Sequence, residues 1–163
     1  MPADVLVVDG DNVAHARWRG RRGRKDVPRM REELLEAVVG YAARIGADAW
    51  VVFDGPGRDR TVAGTSVVHS GEATGDSVVE RLAYELAADG SAVTVVSADR
   101  ELRQAVVRGR VHVIGPSEFL ARVGREVGHE GEEGARQRYR LGDALDARTR
   151  AALERMRRGG PPA

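Results

Sequence analysis

Short apolar runs that close on acidic or glycine-rich turns alternate along this chain with longer stretches whose apolar residues recur every three or four positions. Val5-Leu6-Val7-Val8 is an unbroken apolar run ending at Asp9-Gly10-Asp11-Asn12. A strand apolar on both sides belongs in a parallel sheet covered by helices. Asp26 and Pro28 then carry helix-start chemistry, followed at helical spacing by Met30, Leu34, Leu35, Val38, Val39, Ala42 and Ile45, with Gly46 as C-cap. A second strand, Ala49 to Phe53, ends at Asp54-Gly55-Pro56-Gly57, and a weaker third spans Ser66 to His69. The segment Gly71 to Asp76 opens a helix with Val78, Val79, Leu82, Ala83 and Leu86 on one face, stopped by Gly90. The fourth strand, Val93 to Val96, ends at Ser97-Ala98-Asp99, and a helix through Leu102 and Val106 follows. Val111 to Ile114 is a fifth strand, after which Ser117 caps a helix through Phe119, Leu120 and Val123.

Strand–helix alternation predicts an α/β domain with a mainly parallel sheet and helices on both faces. The pattern changes after Val127. The domain is therefore placed at residues 1–127, with a glycine- and glutamate-rich linker over 128–134, a short arginine-rich helical tail over 141–158 and a disordered end. No internal repeat is visible.

A length of 163 residues suits one domain with a real core. The chain has no cysteine, which excludes disulfides, iron–sulfur clusters and thiolate zinc sites. The first apolar run is too short to span a membrane and lacks the flanks of a signal peptide, so a cytoplasmic location is expected, with no membrane partner. The net charge of +1 gives no global field for nucleic acid, but all basic residues except Lys25 are arginine. Guanidinium forks suit phosphate oxygens and stack on bases.

In open parallel sheets, functional groups gather beyond the carboxyl ends of the strands. Three strands end at Asp9, Asp54 and Asp99, and Asp76 opens the helix after the third strand. An Asp after a strand is also a common turn residue or N-cap, so each acid alone carries little. Four together on one sheet edge would repel one another unless a cation intervened, and hard ions such as Mg²⁺ or Mn²⁺ take oxygen ligands. Asp11 and Glu80 are flanking acids, and Asn12 and Ser97 are placed to hold the turns.

The successive segments Val-Val-Asp9-Gly-Asp-Asn12-Val13, Val-Val-Phe-Asp54-Gly, Ala73-Thr-Gly-Asp76 and Val-Val-Ser97-Ala-Asp99 resemble the motifs of NYN domains, members of the PIN-like nuclease superfamily. Spacing, length and the arginine-rich tail are most similar to the bacterial YacP-like branch, which includes ribosome-associated endoribonucleases. The likeness covers roughly residues 4–123. It implies a PIN-like three-layer sandwich whose five strands run in the order 3-2-1-4-5, and Mg²⁺- or Mn²⁺-dependent cleavage of RNA, with the ribosome as a further partner. It implies Asp9, Asp54, Asp76 and Asp99 as the acidic positions, with Asp9, Asp76 and Asp99 foremost as metal ligands, and Asn12 as the asparagine of the first motif. Asp11 departs from the pattern, since an aromatic or other residue often stands there, and this leaves open which acid of the first turn meets the metal.

On this reading the basic stretch Arg17, Arg19, Arg21, Arg22, Arg24 and Lys25, with Trp18, forms a loop that contacts RNA phosphates and stacks on bases. A solvated loop is the plain alternative. His15, His69, His112 and His129 show no ligand spacing. His112 alternates with valines and is expected buried or half-buried, and only His15 lies near the first acidic turn. Two other functions compete. The domain could bind RNA or the ribosome without cutting. Asp9-Gly-Asp11-Asn-Val13 also matches the start of haloacid-dehalogenase-type phosphatases, but these need a late lysine to neutralise the phosphoryl–aspartate pair, and Lys25 is early. Oligomeric state has no signature in the sequence.

Overall fold

A computed structural model describes residues 4–19, 26–99 and 110–126. Its elements run β1 (Asp4–Asp9), α1 (Gly10–Arg17), α2 (Val27–Ile45), β2 (Asp48–Phe53), β3 (Arg60–Val62), β4 (Thr65–His69), α3 (Gly75–Ala88), β5 (Ala92–Val96), β6 (Val111–Ile114) and α4 (Pro116–Glu126). The expected helix through Leu102 and Val106, the linker, the tail and the 127/128 boundary lie outside the described residues.

The strands form one sheet in the order β3-β4-β2-β1-β5-β6. The five parallel strands keep the expected succession, and the sheet gains a sixth, β3, antiparallel to β4 at one edge. Sequence reading passed over β3 because Arg60-Thr61-Val62 is polar and short. Its turn, Ala63-Gly64, has positive φ at both residues (47° and 83°), and Val62 pairs with Thr65 across it. Two positive-φ residues form the tight hairpin turn that matches strand twist, but Ala is a poor occupant of the first place.

Period-two alternation divides the strand side chains between two cores. Leu6, Val8, Ala49, Val51 and Phe53 face one layer, packed with Val13, Leu34, Leu35, Val38 and Phe119 from α1, α2 and α4. Val5, Val7, Trp50, Val52, Val93 and Val95 face the other, under Val78, Val79, Leu82 and Ala83 of α3. The result is helices, sheet, helix: three layers. Asp26 caps α2 through a bond from the Arg29 amide (3.2 Å), and Gly46 ends it in the left-handed conformation. The last helix begins at Pro116, ahead of Ser117, and the Phe119 amide bonds the Gly115 carbonyl (3.0 Å). Ser117 is therefore inside the first turn rather than its cap. His112 is exposed rather than buried, since β6 is the sheet's outer strand and leaves that position to solvent. Among the described residues, no helix is long and apolar enough to cross a membrane.

Candidate active site

The chain runs outward from β1 to β2 and β4 on one side, then returns to place β5 and β6 on the other. The strand order thus reverses between β1 and β5, where an open parallel sheet leaves a crevice at its carboxyl edge. Val8 and Val96 are register partners there, so Asp9 and Ser97 follow as neighbours at the mouth of the crevice.

Asp9 is both the last residue of β1 and the N-cap of α1. Its Oδ1 accepts from the Asn12 amide (3.2 Å) and its Oδ2 from Asn12 Nδ2 (2.6 Å). The same Asn12 side chain reaches Ser97 Oγ at 3.5 Å, the long limit of a hydrogen bond. Fully buried Ser97 accepts from the Asp99 amide (3.1 Å) and donates its own amide to the Ile114 carbonyl (3.1 Å), which fixes the turn carrying Asp99.

Asp76, in the first turn of α3, brings its carboxyl against that of Asp9. Burial, and then the hydrogen bond to Asp76, push Asp9 up to about 7, while the two bonds from Asn12 pull in the opposite direction. Two carboxyls in hydrogen-bond contact must share a proton or a cation. Thr74, not Asp76, is the cap of α3, accepting from the Ser77 amide (3.3 Å), so Asp76 keeps its carboxyl for Asp9.

Asp54 is turned elsewhere. Its Oδ1 accepts from the Gly75 amide (2.7 Å) and from Ser70 Oγ (3.2 Å), which ties the end of β2 to the start of α3. Asp11 is spent on the opposite side: Oδ1 accepts from Arg31 Nε (3.1 Å), and Oδ2 from an Arg31 terminal nitrogen (3.1 Å) and the Asp54 amide (2.6 Å). An acid so occupied is not poised to protonate a leaving group, as the phosphatase reading requires. Among the described residues, no group of three or more Asp, Glu or His side chains has the arrangement of a metal cage. Glu80 is half-buried one turn beyond Asp76.

Magnesium commonly takes one or two carboxylates and keeps several waters. The Asp9–Asp76 pair fits that mode, because a cation can replace the proton between the two carboxyls.

Two residues escaped sequence reading. Neither Arg31 nor Ser70 belongs to a motif, and only the third dimension sets them against Asp11 and Asp54. The basic loop is also revised. Arg17 belongs to α1, and Trp18 is buried in the α1–α2–α4 core with the Arg17 guanidinium 5.0 Å from its ring, so it cannot stack on bases. Arg19 is exposed, whereas Arg21, Arg22, Arg24 and Lys25 lie outside the described residues. His15 Nδ1 sits 2.7 Å from the Asp11 carbonyl, one turn back in its own helix. His129 is outside the described residues.

A family model described as the YacP-like NYN domain matches residues 6–158. Among solved structures, the chain is similar to the crystal structure of Rae1 (YacP) from Bacillus subtilis, with 24% identity and a TM-score of 0.65, covering 96% of this chain and 95% of that one. The W164L mutant of the same protein gives 23% identity and a TM-score of 0.64, covering 88% and 98%. No curated protein matches.

Proposed function

Because the chain belongs to the YacP-like NYN domain family, within the PIN-like nuclease superfamily, we propose that it is a divalent-metal-dependent endoribonuclease. Nucleases of this superfamily generally use divalent metals. The observation that carries the reading is the Asp9–Asp76 carboxyl pair at the switch point of the sheet.

In this reading Asp9 and Asp76 hold Mg²⁺ or Mn²⁺, and Asp99, on the turn that Ser97 fixes, is a further acid that assists them. A bound ion of this kind polarises a phosphodiester oxygen and lowers the pKa of a water enough to make it a nucleophile. The rest falls to the protein. Asn12 keeps both Asp9 oxygens aimed, as partners behind metal ligands usually do. Ser97 keeps Asn12 and the Asp99 turn in register. Asp54 sets the start of α3, which carries Asp76. The arginines at 17–24 and Lys25 offer phosphate contacts for RNA, with no demand on its sequence. Ribosome-bound RNA is the proposed setting.

The test is to incubate purified protein with single-stranded and structured RNA, with Mn²⁺ or EDTA, and again with ribosomes. Internal cleavage that needs the metal and vanishes in Asp9→Asn and Asp99→Asn is expected. Retained binding without cleavage under every condition would replace the enzyme with an RNA- or ribosome-binding module.

A further inference from the structure

Arg31, on the first turns of α2, touches three parts of the acidic edge at once. Its fork takes both oxygens of Asp11 (3.1 Å each), a terminal nitrogen donates to the Asp54 carbonyl (3.0 Å), and its guanidinium lies 4.9 Å from the centre of the Phe53 ring. Asp11 in turn accepts from the Asp54 amide at 2.6 Å. The Asp54 peptide is thus gripped on both its amide and its carbonyl. From there the path continues through the Asp54 carboxylate to the Gly75 amide at 2.7 Å, next to Asp76.

We propose that Arg31 is a positioning residue: it latches the first acidic turn to the second, withholds Asp11 from the cation site, and through Asp54 sets the start of α3 so that Asp76 meets Asp9. The clause about the cation rests on the function proposed above; the latch itself does not. Three hydrogen bonds to one carboxylate leave little lone-pair capacity for a metal ion. The chain thereby resolves its doubly acidic first turn: Asp9 faces Asp76, and Asp11 faces Arg31. Bidentate geometry is essential, because a lysine ammonium cannot present two parallel donors and reach the carbonyl together.

The experiment has two readouts. The first is amide hydrogen exchange on the metal-free protein. In Arg31→Gln, the Asp54 and Gly75 amides are expected to exchange about tenfold faster or more, while the amides of β5 keep their protection, as a local opening requires. Arg31→Lys is expected to fail to restore Gly75. Unchanged Gly75 exchange, or uniform acceleration across the protein, overturns the latch. The second readout is Mn²⁺ affinity by titration calorimetry. Asp9→Asn is expected to weaken Mn²⁺ by about tenfold or more, and Asp11→Asn by less than about threefold. Equal losses would make Asp11 a ligand and overturn the withholding role. If the wild-type protein takes up no Mn²⁺, the proposed function fails, and the exchange data still decide the latch.

Discussion

Asn12 holds Asp9 from two directions, with its backbone amide on one carboxylate oxygen and its side-chain amide on the other. The second bond, at 2.6 Å, is the one a substitution can remove. Asn12→Ala should lower RNA cleavage by about 10–100-fold, as loss of a partner behind a metal ligand usually does. It should also cost about 1–3 kcal/mol of stability, since buried Asp9 would lose a bond to its charged form. Cleavage kinetics and urea melts measure the two effects.

The protonation of Asp9 makes the metal-free protein sensitive to alkali. Its folded pKa is about 7, whereas an unfolded Asp titrates near 4. Between those values the folded chain keeps a proton that the unfolded chain has released. Stability from this group is therefore fully present below about pH 4 and lost as pH rises through about 7. At about 1.4 kcal/mol per unit, the loss amounts to roughly one to a few kcal/mol. Thermal melts in EDTA should show Tm falling between pH 5 and pH 8, and Asp76→Asn should reduce that fall without abolishing it, because burial, the larger cause of the raised Asp9 pKa, remains.

Cation binding should act in the opposite sense. Protons and metal compete for the same oxygens, so Mn²⁺ should raise Tm at pH 8 and much less at pH 5. An equal rise at both pH values would place the ion elsewhere.

Gly10 opens α1 directly against β2. A Cβ there would lie 2.5 Å from Phe53 Cε1 and 2.9 Å from the Val52 carbonyl oxygen. Gly10→Ala should cost about 1–3 kcal/mol through overpacking. Because Phe53 also lies beneath Arg31, the loss of cleavage should exceed what unfolding alone explains, which comparing activity with the folded fraction would reveal.

The hairpin between β3 and β4 offers a change of the opposite kind. Ala63 has a φ of 47°, a left-handed conformation that asparagine tolerates far better. Ala63→Asn should raise stability by up to about 1 kcal/mol without altering cleavage, as urea melts and the RNA assay would show.

Much of this architecture was legible because periodicity is a local signal. The Val5–Val8 and Ala49–Phe53 runs, the helical spacing from Met30 to Ile45, and the turns at Gly46 and Gly90 each announce themselves within a few residues. The parallel strand order came with the family likeness rather than from the pattern. Sequence also flagged Asp9, Asp76 and Asn12, because acids at strand ends and helix starts stand out. It did not separate Asp9 from Asp11, or reveal that Asp54 turns to the Gly75 amide, because those choices depend on Arg31 and Ser70, far away in the chain. Trp18 beside arginines suggested stacking on RNA, yet a large apolar ring gains more from the core than from solvent. His112 misled in the reverse direction: alternation with valines says which face a residue takes, not whether an outer strand covers it.

Asp54 has its peptide held by Arg31 and Asp11 on the side of α1 and α2, and its carboxylate held by the start of α3 from the opposite layer. It works as a rivet through the sheet. Repacking either helical layer, even at positions remote from any acid, would be transmitted to this one residue and read out as a change in the distance between Asp9 and Asp76.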